Sequence, residues 1–305
     1  MSSAVTILLS IYGEAPFLED FLKSLERQSC RDFRLLCRFD DPADHARSRE
    51  ILRKYGFVGI LAEESHCGVV ETYNRLLKAA AGAPYVMFAD QDDIWHPDKI
   101  ETALARMRRA EREFSSAVPI LCHSDLRVVA EDLREISPSF MKYQTLDSRR
   151  RRFRELLIQN NVTGCTVIIN RALAERVNFP AEAICHDWYL ALIASAFGKI
   201  VFEDRATIDY RQHAGNCYGA VPRKNLFSGV FARRKLRERL LLTQRQAGAF
   251  LEQFGAELPS GTRELLAAWS ALPEERSYCR RLFTVWKYHL VKNDLLRTLG
   301  LWWAV

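Results

Sequence analysis

No run of about 18 consecutive apolar residues occurs in this 305-residue chain, so no hydrophobic membrane-spanning helix is expected. The strand-like Val5-Thr6-Ile7-Leu8-Leu9 begins almost at once, without a basic region or small-residue cleavage site before it, so a secretory leader is not expected. The eight cysteines are scattered without a Cys-x-x-Cys pair, which removes zinc-ribbon and dithiol readings. Buried free thiols in a reducing cytoplasm are the expectation instead. Neither Gly-x-x-x-x-Gly-Lys-Ser/Thr nor Gly-x-Gly-x-x-Gly is present, so P-loop and dinucleotide sites lose support. No internal repeat or low-complexity stretch appears. With 48% hydrophobic and 27% charged residues, wholesale disorder is excluded. The length suits one large α/β domain with an appendage, or two modest domains.

The most informative stretch is Tyr85-Val86-Met87-Phe88-Ala89-Asp90-Gln91-Asp92-Asp93-Ile94-Trp95. A short strand-prone run delivers three carboxylates in four positions to one strand end. Like charges that close repel, and a divalent cation carrying a phosphorylated ligand would neutralise them. Hard oxygen ligands suit Mg²⁺ or Mn²⁺. Alone, the same residues read equally as a polar turn capping the helix after Pro97.

The flanking sequence alternates strand and helix. Strands are expected over 5–10, 33–39, 58–62 and 85–89, with helices between them and another carrying Ile100, Leu104, Met107 and Phe114. That rhythm implies a mostly parallel sheet with helices on both faces, and ligands at the C-terminal strand ends. Those ends carry Tyr12, Asp40-Asp41 and Asp90 to Asp93. After Pro119 the pattern becomes mixed, with strands expected over 120–123, 126–130 and 163–170. Between the last two lies the basic run Ser148-Arg149-Arg150-Arg151-Arg152-Phe153-Arg154. Beyond Pro222 the chain reads as helices, with Leu240, Gln244, Ala247, Leu251 and Phe254 in register, then Leu282, Phe283, Trp286 and Leu290. This third carries 15 Lys+Arg against 7 Asp+Glu, whereas the first 221 residues carry 29 against 31. A boundary near 221/222 and a separate role for residues 222–305 follow from that asymmetry.

Taken together, Val5 to Tyr12, Asp40-Asp41 and Phe88 to Trp95 resemble family-2 glycosyltransferases, particularly the rhamnosyltransferase-like branch. Further matches follow in order: His123-Ser124-Asp125, Asn161-Val162-Thr163-Gly164-Cys165-Thr166, His186-Asp187-Trp188, and Tyr210 to Asn216. The resemblance spans roughly residues 4 to 220. It implies a glycosyltransferase A fold, a Rossmann-like mixed and mostly parallel sheet flanked by helices, here with a helical C-terminal extension. It also implies inverting transfer from a dTDP- or UDP-linked sugar, with Mn²⁺ or Mg²⁺. Tyr12 would stack on the base, Asp40 or Asp41 would accept from it, and Asp90 with Gln91 would meet the nucleotide. Asp92 and His213 would hold the metal, and Asp187 would be the general base. Asp93, Trp95, Asn161, Thr163, Gly164, His186 and Trp188 would surround the donor and acceptor sugars. On local sequence alone, Asp187 reads most simply as a helix N-cap, His213 as a half-buried histidine and Tyr12 as strand-end packing, so the ordered set and no single residue carries the resemblance. Departures from the family pattern are Gly13 for asparagine, Pro42 and Ala43 after the paired aspartates, and His66 for asparagine.

The basic Arg233-Arg234-Lys235-Leu236-Arg237-Glu238-Arg239 precedes an amphipathic helix, and tryptophans stand near the C-terminus. Both suit peripheral contact with the inner face of the cytoplasmic membrane, beside a glycan or lipid-linked acceptor. They suit equally a helical bundle packed on the catalytic domain. A nucleic-acid partner is not expected, because no nucleic-acid-binding fold surrounds the arginines.

Overall fold

The computed structural model describes residues 3–13, 15–41, 45–61, 66–215 and 232–305. The elements run β1 (Val5–Ile11), α1 (Leu18–Glu26), β2 (Phe33–Phe39), α2 (Ala46–Arg53), β3 (Val58–Ile60), α3 (Val69–Ala79) and β4 (Tyr85–Ala89). They continue β5 (Ile94–Trp95), α4 (Lys99–Phe114), β6 (Ile120–Ser124), β7 (Arg127–Ala130), β8 (Glu135–Ser137), α5 (Phe140–Tyr143), α6 (Phe153–Ile158), β9 (Ile168–Asn170), α7 (Arg171–Ala174), α8 (His186–Phe197), β10 (Lys199–Glu203) and β11 (Ile208–Gln212). The last four are α9 (Ala232–Phe254), α10 (Ser260–Ser270), α11 (Tyr278–Lys287) and α12 (Leu295–Ala304).

Seven strands form the central sheet in the order β10-β6-β9-β4-β1-β2-β3. β1 pairs in parallel with both β2 and β4, aligning Val5 with Phe33 and Tyr85. β9 alone runs antiparallel, wedged between β4 and β6. This mixed sheet matches the expectation except over 163–170. There the chain makes a 3₁₀ turn over Gly164–Thr166 before the short β9, with Gly164 packed against His186. The short β5, β7, β8 and β11 make a second sheet in the order β5-β11-β7-β8.

Strand period two sorts the core. Ile7, Leu9 and Ile11 face a layer with α1, α2 and α4, while Leu8 faces a layer with α3 and α8. Phe88 joins Leu8, and Met87 and Ala89 join the opposite side, so β4 arrives at its acidic end with both faces buried. The C-terminal helices extend the α3–α8 layer. Phe250 of α9 packs on Phe153 and Tyr189 at 5.3 and 5.6 Å, and Trp269 of α10 is fully buried with its indole N–H 3.3 Å from Thr243 Oγ1. The expected register of Leu240, Gln244, Ala247 and Phe254 is the buried face of α9. The 282–290 register differs: Leu290 is buried, but Phe283 and Trp286 point outward. The expected boundary at 221/222 lies outside the described residues.

The arginine run is tied inward. Arg149 pairs with Asp147, Arg150 donates to the Val291 carbonyl, and Arg151 donates to the Ile200 carbonyl at 3.1 Å. The second sheet is pinned by Asp209 of β11, which accepts from Arg127 at 2.7 Å through both oxygens and meets His96 at 2.8 Å. Burial alone would raise the Asp209 carboxyl, but the hydrogen bonds from His96 and Arg127 outweigh it and hold the group down at about 2.

Two outcomes follow. Replacing Trp269→Ala should cost about 3–5 kcal/mol while unfolding stays a single transition, measured by urea denaturation; two separate transitions would mean that α9 and α10 do not share the core. Because the folded Asp209 titrates below its ordinary 3.8, its stabilisation is complete above about pH 4 and is lost as pH falls through about 2. Asp209→Asn should therefore flatten the acid limb of the stability profile in that window, and an unchanged limb would refute the role.

Candidate functional site

The candidate site is built where β1, β2 and β4 end side by side. Tyr12, the first residue beyond β1, is 58% exposed, leaving its ring free above the edge. Its backbone is clamped by Gln91: the Tyr12 N–H donates to Oε1 at 3.0 Å, and Nε2 donates back to the Tyr12 carbonyl at 2.9 Å. Gln91 thus ties the β1 and β4 ends together. Gly13 turns the chain at φ +67°, a conformation asparagine also tolerates, and its N–H donates to Asp41 at 2.6 Å.

Asp40 and Asp41 are both buried. Asp40 accepts from Arg38 at 3.2 Å and from the Cys67 N–H at 3.0 Å, and Asp41 also contacts His45. Burial would raise the Asp40 carboxyl; the Cys67 N–H, Thr72, Cys67 thiol and Arg38 bonds hold it below the usual range. Facing Tyr12 across 6.2 Å is the exposed His66, its Nδ1 2.6 Å from the Asp40 carbonyl. With a carbonyl as its partner, Nδ1 is the donor in that contact. The sequence noted His66 only as a departure from a pattern, yet it stands with Tyr12 on the rim of one slot.

The acidic cluster follows β4. Asp92 Oδ2 lies 2.8 Å from His213 Nε2. The Gly215 N–H donates to His213 Nδ1 at 3.1 Å, so in this arrangement Nε2 carries the proton and points it at Asp92. Asp93 is fully buried, and no hydrogen bond of ordinary geometry reaches either of its oxygens among the described residues. One oxygen each from Asp90 and Asp93 lies within 4.8 Å of the other and of the Cys165 thiol. Burial, then the charges of Asp92 and Asp187, push Asp90 up to about 7. Burial and the neighbouring charges of Asp90 and Asp92 push Asp93 well above its ordinary value, and burial does the same to the Cys165 thiol. A thiol kept protonated there is a poor ligand for a hard cation, so the carboxylates are the fitting donors.

Arg211 holds this loop from beneath. It donates to the Asp92 carbonyl at 3.1 Å, to the Glu131 carbonyl at 2.9 Å and to Asp20 at 3.0 Å, and its guanidinium lies 4.2 Å from the Phe17 ring centre. Phe17 in turn meets the His213 ring at 5.0 Å. Arg211 and Cys165 lie inside matched motifs, but nothing in the sequence marked them as supports, since their partners come from distant segments.

Asp187 enters from the opposite side, in the first turn of α8; Cys185, not Asp187, is the N-cap. Asp187 Oδ1 accepts from Asn160 at 3.3 Å and from the Trp188 N–H at 2.5 Å. Its neighbour His186 is stacked on Phe88 at 5.1 Å and packed on Tyr73 at 4.0 Å, with no hydrogen bond to either ring nitrogen among the described residues. Burial lowers the His186 imidazole, keeping it neutral. Gly164 covers that ring, and Thr163 precedes it as the cap of the 3₁₀ turn.

Three expected pocket residues make contacts away from the carboxylate cluster. Trp95 is a core residue, edge-on to Phe21 at 5.8 Å, because the short β5 turns its side chain back under α1. Asn161 is also buried; it donates to the Asp147 and Arg150 carbonyls and accepts from Asn293, joining the arginine loop to the C-terminal region. Trp188 donates its indole N–H to the Leu156 carbonyl and packs beside α6. Asp125 likewise caps the turn at Leu126 and Met141 instead of reaching the cluster.

Comparison with known proteins bears on the family and the fold. The model of the family described as Glycosyl transferase family 2 matches residues 6–177. A dTDP-rhamnosyl transferase, RfbG of Shigella flexneri, is 26% identical over 227 residues, covering 70% of this chain and 74% of that protein. Among solved structures, S. aureus TarS 1-349 in complex with UDP-GlcNAc superposes with a TM-score of 0.56 at 18% identity, covering 87% of this chain and 71% of that one. The mannosyltransferase PcManGT of Pyrobaculum calidifontis, solved with GDP-Man and Mn²⁺, gives 0.55 at 15% identity, covering 95% and 74%.

A methyl group on Gly164 would stand 2.6 Å from His186 Nε2 and 2.9 Å from Cε1. Gly164→Ala should therefore displace the ring beside Asp187, leave the protein folded, and lower turnover about 10²-fold with nucleotide affinity retained. Wild-type turnover in a folded variant would show that His186 does not set the position of Asp187.

Proposed function

The chain belongs to glycosyl transferase family 2 and has the glycosyltransferase A fold, and on that premise we propose an inverting, metal-dependent sugar transfer. The donor is a nucleoside diphosphate sugar, dTDP-rhamnose above others, and the acceptor is a hydroxyl of a polysaccharide or a lipid-linked glycan. One observation supports this most directly: Asp90 and Asp92 from the end of β4 and Asp187 from the start of α8 come to one place, with charges close enough to raise Asp90. The similarity to RfbG supports the dTDP-rhamnose reading. The neighbour bound to UDP-GlcNAc keeps a UDP-sugar as the second reading.

Tyr12 stacks on the base, and His66 stands opposite it. Asp40 and Asp41 shape the floor of that slot, and Asp90 meets the ribose. The donor set of carboxylates, with His213 against Asp92, fits a hard divalent ion, Mn²⁺ or Mg²⁺. A cation held by Asp92 and His213 would neutralise charge on the departing diphosphate. In the transfer, Asp187 takes the proton of the acceptor hydroxyl as that oxygen bonds to the anomeric carbon. The bond from that carbon to the phosphate oxygen breaks on the far face, and its electron pair leaves with the nucleoside diphosphate. Asn160 orients Asp187 for this step. We assign the transfer chemistry to residues 1–221 and acceptor or membrane association to residues 222–305. A non-catalytic role on a transferase scaffold is the alternative in another class; a complete carboxylate set argues against it.

Calorimetric titration with dTDP, UDP and GDP, each with and without Mn²⁺, tests the reading. Manganese-dependent binding of dTDP is expected; UDP alone would select the second donor, and no binding of any would refute the transferase. Asp92→Asn should abolish the manganese-dependent component. Asp187→Asn should bind nucleotide like the wild type while transfer falls by about 10²–10⁴-fold; full transfer would remove Asp187 as the base.

A further inference from the structure

No described helix is long and apolar enough to cross a membrane, yet α12 has the wrong surface for a helix facing water. Its Thr298, Gly300, Leu301 and Ala304 are buried against the protein. Its outward residues are Leu295, Leu296, Leu299, Trp302 and Trp303, spaced by one, three and four as one helical face. Leu295 is 71% exposed, and Trp302 and Trp303 are 43% and 48% exposed. A helix apolar on both sides is normally covered on both.

α11 adds to this surface. Phe283 and Trp286, one turn apart with rings at 5.8 Å, are exposed, Trp286 by 69%. The Tyr278 hydroxyl donates to the Trp302 carbonyl at 2.9 Å, locking the start of α11 to the end of α12. Apolar patches of this kind mark interaction sites. The charge beside it identifies the occupant. Arg233, at the start of α9, donates to the Trp303 carbonyl at 3.1 Å, and its guanidinium lies 5.8 Å from the Trp303 ring centre. Arg234, Lys235, Arg237 and Arg239 continue along the exposed side of the same helix, with Glu238 the lone acid among them. Next to Trp286, Lys287 lines a groove of about 410 Å³ together with Arg152, Arg154 and His289.

We propose that the outward faces of α11 and α12, with the cationic start of α9, dock on an anionic phospholipid surface. Indole rings seat at the level of the headgroups, the leucines enter the acyl boundary, and the guanidinium groups pair with lipid phosphates. A second copy of this chain would set arginine against arginine, whereas an anionic lipid surface complements the charge. The proposal depends on the transferase reading only in placing the active site beside a lipid-linked acceptor.

Co-sedimentation with vesicles of phosphatidylethanolamine and phosphatidylglycerol, against vesicles of phosphatidylcholine alone, tests it with the full chain. Binding to the anionic vesicles is expected, weakening as salt rises. Trp302→Ser with Trp303→Ser should lower the apparent partition at least about tenfold, and so should Arg234→Glu with Arg237→Glu. Leu295→Gln, at the most exposed position of α12, serves if the tryptophan pair fails to fold, with thermal unfolding as the control. Failure of the wild type to sediment with either vesicle overturns the proposal. So does a wild-type dimer in gel filtration that the α12 variants convert to monomer without any vesicle binding. Nucleotide binding by the same variants reports separately on the transferase site, so loss of one reading leaves the other standing.

Discussion

Carboxylates repel, and this fold gathers Asp90, Asp92, Asp93 and Asp187 at one end of its central sheet. Asp93 is fully buried there, and burial with neighbouring negative charge pushes Asp90 up to about 7. Such an arrangement costs stability in isolation, because desolvation and mutual repulsion both disfavour ionisation. It makes physical sense where a cation and a charged phosphate ligand complete it. The rest of the site reads as what is needed to hold those groups still.

Much of that holding is done by residues that need touch no ligand. Gln91 closes the gap between two strand ends through the backbone of Tyr12. Arg211 reaches Asp92, Glu131 and Asp20 at once, so three distant segments share one buried cation. His186, stacked on Phe88 and packed under Gly164, stands in the first turn of α8 beside Asp187. These contacts share one feature: each side chain is in contact with backbone or an aromatic face, so a shift would leave a polar group unpaired or a ring unpacked.

The C-terminal helices serve two masters. Phe250 and Trp269 bury one side of the bundle into the layer beneath α8, while Trp286, Leu295 and Trp303 leave the other side apolar and uncovered. Asn161 and Arg150 tie this bundle to the loop before α6. The bundle is therefore mechanically continuous with the domain that carries Asp187.

By itself, the sequence determined the strand–helix alternation, the expectation of a mostly parallel sheet, and the strand-end positions of Tyr12, Asp40 and the 90–93 cluster. Those follow from local periodicity, and period two and period 3.6 are written in neighbouring residues. Tertiary structure alone decided that Trp95 is core, that Asn161 binds a loop, that Gly164 begins a 3₁₀ turn, and that His66 faces Tyr12. It also decided that Phe283 and Trp286 point outward, since an apolar helical stripe looks the same whether protein or another surface covers it. Contacts between residues far apart in the chain leave no local pattern, and the support of this site consists almost wholly of such contacts.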